Sequence, residues 1–256
     1  MFEFWSVFRY EFMMSIRRRG LWLAYGLLFL FYFVSIILER GSVENITMPV
    51  KDLWASSAQL AFMFNLFLPV VGGISAADRL VRDRHLKVDE LLSSTVLTHR
   101  DYIAGKYFGV LASLLLPVFI CQVALRTYTL FLGVPVILLG MTVVCFIVIT
   151  IPAFAFITAF SLACPLVMPV RVYQVLFTGY WFWGNFLSPN VFPTLSGTLL
   201  QPGGKVVMEG LFGITFGGKS AYGSVDVLIN LGLLAICIIA SLVAADQYIV
   251  RKSRLA

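Results

Sequence analysis

Ala77-Asp78-Arg79-Leu80-Val81-Arg82-Asp83-Arg84-His85-Leu86-Lys87-Val88-Asp89-Glu90-Leu91-Leu92-Ser93-Ser94-Thr95, running on to Gly105-Lys106, is the one strongly charged interior stretch of this chain. Apolar sequence lies on both sides of it. Over all 256 residues, 60% are hydrophobic and 12% charged, whereas an ordinary soluble domain is about one quarter charged. The composition therefore points to a membrane, with room for about five to seven spans, since each needs ~20 apolar residues to cross ~30 Å of hydrocarbon. No large additional soluble domain fits, and the charged island must serve something outside the membrane.

Working outward from the island, uncharged runs at residues 58–77 and 107–125 read as the second and third of six predicted spans. The others are 21–38, 134–160, 172–187 and 227–250. Asn65, Pro69 and Gly72-Gly73 mark the second span as packed or bent rather than bathed in lipid. Residues 41–57 read as an external loop, and Pro117 lies within the third span. Ahead of the first span, residues 1–19 place Phe4, Trp5, Phe8, Phe12 and Ile16 mostly three or four apart and end in Arg17-Arg18-Arg19. That pattern predicts an amphipathic helix in the membrane interface rather than a cleaved signal peptide.

Lys and Arg accumulate on the cytoplasmic side of short loops. With both termini inside, only Arg40, Lys51, Arg126, Lys205 and Lys219 fall outside, which leaves fourteen of the nineteen basic residues within. The count favours this orientation and an even number of spans, and it puts the island in the cytoplasm. The net charge of +6 thus reflects topology. Basic residues flank spans and form no aromatic-interleaved face, so nucleic acid is not an expected partner.

The island itself is close to neutral, with Arg79, Arg82, Arg84, Lys87, Arg100 and Lys106 set against Asp78, Asp83, Asp89, Glu90 and Asp101. A lipid-binding polybasic segment would be one-sided. Mixed charge beside Leu91-Leu92 fits a protein docking surface, or simply a solvated loop. Thr98 and Asp101 have the spacing of a capping box that starts the helix leading into the third span.

The order Asp89-Glu90-Leu91-Leu92-Ser93-Ser94-Thr95, with Tyr102 and Gly105-Lys106 downstream, resembles the segment between the second and third spans of ABC type-2 exporter permeases. Val96 stands where that family commonly has proline. The resemblance extends to the whole chain: an interfacial N-terminal helix, six spans, both ends inside, and a long segment between the last two. It implies an all-α membrane permease of one domain, residues 1–256. It also implies that 78–106 is a coupling segment resting on separate ATP-binding cassette subunits, two per complex. By that resemblance, Arg82, Asp83, Asp89, Glu90, Leu91 and Leu92 would carry the coupling. ATP and magnesium would reside on those subunits, and a second permease chain, identical or homologous, would complete the pore. The expected cargo is hydrophobic or amphipathic: a peptide, lipid, drug or glycan precursor. The expected site is a bacterial inner or plasma membrane, and a non-transporting scaffold or assembly protein is the alternative.

Residues 213–220 satisfy the phosphate-loop pattern G-x-x-x-x-G-K-[ST] letter for letter. That loop needs a strand before it and a helix after it, and no β/α alternation is present, so no nucleotide site is expected in this chain. The surrounding segment 188–224 is apolar but broken by Pro189, Pro193, Pro202 and Gly203-Gly204, which predicts short re-entrant helices. Asn65, Trp181, Trp183 and Asn185 are candidates to line a translocation path. Buried amides also bond between helices, and tryptophans also anchor at interfaces. Asp246, near the end of the last span, is expected to reach the interface or pair with a base. Cys121, Cys145, Cys164 and Cys237 are scattered through apolar sequence and indicate neither disulfides nor a metal site.

Overall fold

The computed structural model describes residues 2–38, 49–86, 98–187, 194–215 and 222–253, and these are helices, turns and connecting segments throughout. Helix α1 is Phe2–Ile16, α2 is Arg19–Leu38, α3 is Val50–Ala76 and α4 is Arg79–His85. Helix α5 is His99–Leu130. Helix α6, Ile137–Cys145, passes through a π turn, Phe146–Thr150, into α7, Ile151–Ala163. Helix α8 is Val170–Phe186, α9 is Lys205–Phe212 and α10 is Ser224–Ser253.

Among the described residues, four segments are long and apolar enough to cross a membrane: Val50–Asp83, His99–Leu130, Ile137–Leu166 and Ser224–Lys252. They correspond to four of the six predicted spans. The other two fall on α2 and α8, which have 20 and 17 residues. At 1.5 Å per residue, α8 is ~25 Å long, somewhat less than the hydrocarbon thickness.

Helix α3 is the hub of the bundle, touching α2, α5, α6, α7, α8 and α9. The glycines make that possible. A Cβ on Gly73 would sit 2.3 Å from the Phe177 ring of α8, and one on Gly72 would sit 3.3 Å from the Phe154 ring of α7. Small residues of this kind let helices approach closely in lipid, where no hydrophobic force drives them together.

Several boundaries differ from the sequence expectation, each for a local reason. Helix α3 begins at Val50, inside the expected external loop. Asp52 lies in its first turn, where a carboxylate suits the helix dipole, and Leu53 is buried in a cluster with Leu138 and Met141. Helix α5 does not end at Arg126. Its guanidinium is buried and donates to the Ser56 carbonyl at 2.5 Å, so the helix continues to Leu130. The predicted cap is present, with Thr98 Oγ1 accepting from the Asp101 amide at 3.2 Å. The π turn precedes Pro152, whose ring and missing N–H are incompatible with regular helix there. Ile151 bonds instead to the Phe146 carbonyl, five residues back.

Residues 194–215, expected to be re-entrant, contain a short buried helix. Val206, Val207 and Met208 of α9 are sealed between α3, the π turn and α10.

Candidate functional site

At the end of the bundle where the charged island begins, α1, α4 and α5 meet around a buried ionic node. Its base is backbone packing. Gly105 and Gly109 stand one turn apart on α5, and α1 lies directly against them. A Cβ on Gly105 would be 2.9 Å from Val7 Cβ, and one on Gly109 would be 2.7 Å from the Phe8 carbonyl oxygen. On α1 the stripe turned toward this seam includes Glu11 and Ser15, both buried, while Trp5, Tyr10 and Met13 are exposed.

Lys106, next to the first glycine, is fully buried and holds two acids at once. Its ammonium lies 2.6 Å from Glu11 Oε1 on α1 and also contacts Asp83 Oδ2 on α4. The Tyr102 hydroxyl donates to the same Asp83 oxygen at 2.5 Å, and the Tyr102 ring lies 5.4 Å from the ammonium. Arg79 is also buried, its guanidinium 3.7 Å from Glu11 Oε2. Toward the surface, Arg18 pairs with Asp78 at 3.2 Å, and Arg82 donates to Met14 Sδ at 3.0 Å. A cation this deeply buried is tolerated only when paired and hydrogen-bonded, so each partner specifies where the others sit.

The node sits on a nearly continuous rod. Ala77 and Asp78 are the whole connection between α3 and α4; the Ala77 amide bonds to the Gly73 carbonyl, and the Arg82 amide to the Asp78 carbonyl. Helix α4 thus extends the hub helix, while Asp83 fastens it to α5 and, through Lys106, to α1. Of the predicted coupling residues, Arg82 and Asp83 lie here. Asp83 faces inward onto Lys106 and Tyr102 rather than toward solvent. Asp89, Glu90, Leu91 and Leu92 lie outside the described residues. Sequence reasoning picked out Gly105-Lys106 but missed Glu11, whose signal was an acid set between the aromatic residues Tyr10 and Phe12 of α1.

A second polar node lies deep between α3, α8 and the segment before α9. Asn65 donates to the Ile149 carbonyl of the π turn at 3.1 Å and to the Gly203 carbonyl at 3.3 Å. The Gly203 amide in turn donates to Asn185 Oδ1 at 3.1 Å, and Gln201 donates to the Asn185 carbonyl at 3.2 Å. Asn230 of α10 donates to the carbonyls of Leu199 and Gln201 at 2.7 and 3.1 Å. The π turn supplies one carbonyl to this node, that of Ile149, and Asn65 bonds to it.

The structure therefore brings Asn65 and Asn185 together around one glycine. Trp181 is fully buried beside them, its indole donating to the Leu66 carbonyl at 3.1 Å. Trp183 is apart from this group, 46% exposed on α8. A separate apolar cavity of about 380 Å³ lies between α7, α8 and α10, with Phe156, Phe160, Tyr173, Tyr180 and Cys237 in its wall. None of the four predicted path residues lines it.

Gly213, where the phosphate-loop pattern begins, closes the carbonyl end of α9 at φ +64°, its amide bonded to the Glu209 carbonyl. A helix, rather than the strand that a phosphate loop follows, thus leads into the pattern, and residues 216–220 of it lie outside the described residues. Asp246 pairs with Arg100 at 3.7 Å, joining the ends of α10 and α5. No protein-family model and no curated protein matches the chain.

Proposed function

We propose that this chain is the membrane-spanning permease subunit of an ATP-driven exporter, moved by separate ATP-binding subunits. The observation that supports this most is the ionic node. Any force applied to the segment after α4 reaches α3 directly and reaches α5 and α1 through Asp83, Lys106 and Glu11. In this reading there are six spans, α2, α3, α5, α6 with α7, α8 and α10, both termini are cytoplasmic, and α9 is a re-entrant helix.

Two such chains would enclose the path. ATP binding would draw the partner subunits together and displace the coupling segments, with Arg82 and Asp83 at the root of each and Asp89, Glu90, Leu91 and Leu92 at the contact. The welded ends of α1, α3 and α5 would then tilt as one body. A hydrophobic or amphipathic molecule suits the apolar cavity beside α8, and the amide node would hold the far end of the bundle closed.

The test is a cross-link. With a single cysteine at position 90 (Glu90→Cys) in a cysteine-free background, the chain is co-expressed with an ATP-binding subunit from the same genome and treated with a short bifunctional maleimide. Position 90 is expected to cross-link to the ATP-binding subunit. An intact complex without that cross-link, or substrate movement by the chain alone, overturns the reading.

A further inference from the structure

The corner where α1 passes into α2 carries three consecutive arginines, and of these only Arg18 has a side-chain partner among the described residues. Arg18 is held by the Asp78 carboxylate at 3.2 Å and the Ser75 carbonyl at 3.3 Å. Arg17 and Arg19 are exposed, and their side chains have no partner among the described residues. Because Arg18 neutralises Asp78, the corner keeps two positive charges that no described residue compensates.

A cavity of about 540 Å³ opens between this corner and α3, with Arg18, Arg19, Leu21, Val71, Ile74 and Ser75 in its wall. Its mouth is cationic and its floor apolar. Beyond the mouth, α2 exposes Leu23 at 66% and Leu27 at 61%. Trp22 stands beside them, half exposed, its indole donating to the Ile16 carbonyl at 2.6 Å. Tryptophan with one wet and one apolar edge belongs at the headgroup level of a bilayer. Cations above an apolar wall, with tryptophan at the boundary, match the chemistry of a lipid with a negatively charged phosphate head.

We propose that this corner is a binding site for an anionic phospholipid. Its phosphate is held by Arg19 in the wall of the cavity together with exposed Arg17 from the adjoining turn, and one acyl chain runs along α2 past Leu23 and Leu27. The site would fasten the α1–α2 corner at a fixed depth beside the ionic node. It depends on the chain being in a membrane and not on what the chain transports, so it stands or falls separately from the exporter reading.

The experiment uses the full chain in detergent and native mass spectrometry, with phosphatidylglycerol, phosphatidylcholine or glycerol 3-phosphate added. The wild type is expected to retain phosphatidylglycerol over phosphatidylcholine by roughly tenfold to thirtyfold, the effect of two surface cations. Arg17→Gln with Arg19→Gln brings the preference close to one, Arg19→Gln alone removes part of it, and Arg251→Gln with Lys252→Gln leaves it intact. The proposal is overturned if the arginine variants keep the wild-type preference or the wild type shows none. It is also overturned if glycerol 3-phosphate binds as tightly as the lipid, since the apolar wall would then play no part.

Discussion

At the scale of single residues, Lys106 is the most consequential side chain described. It is fully buried, and it neutralises Glu11 and Asp83, two acids from different helices. Removing the cation alone leaves both carboxylates without it. Lys106→Met is therefore expected to destabilise the chain by about 3–5 kcal/mol, read as a lower unfolding midpoint in detergent. Adding Asp83→Asn to that variant should restore part of the loss, because Glu11 still faces Arg79 and the Asp83 carboxylate is no longer stranded. A Lys106→Met chain as stable as wild type would contradict the node. Tyr102→Phe removes one hydrogen bond to a carboxylate, at a cost of about 1.5–3 kcal/mol in the same measurement. The sequence made Lys106 conspicuous as a charge at the edge of an apolar run. It did not show where the charge goes, because Glu11 lies 95 positions away.

At the scale of elements, the helices were legible because apolar runs of this length have few alternatives in a membrane. The start of α5 was legible from Thr98 and Asp101, and the close packing of α3 from Gly72 and Gly73. The inward face of α1 was not. Its aromatic spacing pointed toward lipid, whereas the seam with α5 runs along Glu11 and Ser15, selected by Gly105 and Gly109 in a distant part of the chain. Gly109→Leu should therefore pry α1 loose. In a chain without native cysteines, Ser15→Cys should resist a maleimide, and adding Gly109→Leu should make it reactive. The π turn was equally hidden, since Pro152 suggests a break but neither its form nor that Asn65 bonds to the Ile149 carbonyl within it. Gly204, with φ +91° and Ile149 Cγ2 at 2.6 Å from a notional Cβ, bears on that region. Gly204→Ala is expected to cost about 1–3 kcal/mol through backbone strain and overpacking, measured as a loss of thermal stability.

At the scale of the whole molecule, the two polar nodes divide the bundle. One ties α1, α4 and α5 at the charged end; the other ties α3, α8, α10 and the segment before α9 in the interior. Between them the helices meet through glycines, rings and single hydrogen bonds such as that from the Tyr107 hydroxyl to the Ala155 carbonyl. In the proposed topology the charged end is cytoplasmic, and cysteines introduced at Thr95 and Ser224 should label from opposite faces of sealed vesicles. In the proposed function, outside energy enters where the charged island joins this bundle. The most direct measurement is ATP hydrolysis by the assembled complex in lipid vesicles, comparing the wild-type chain with one carrying Asp89→Ala and Glu90→Ala. The account predicts that the wild-type chain raises the hydrolysis rate of its ATP-binding partner and that the double variant, still bound, does not. Equal stimulation by both chains in intact complexes would contradict it.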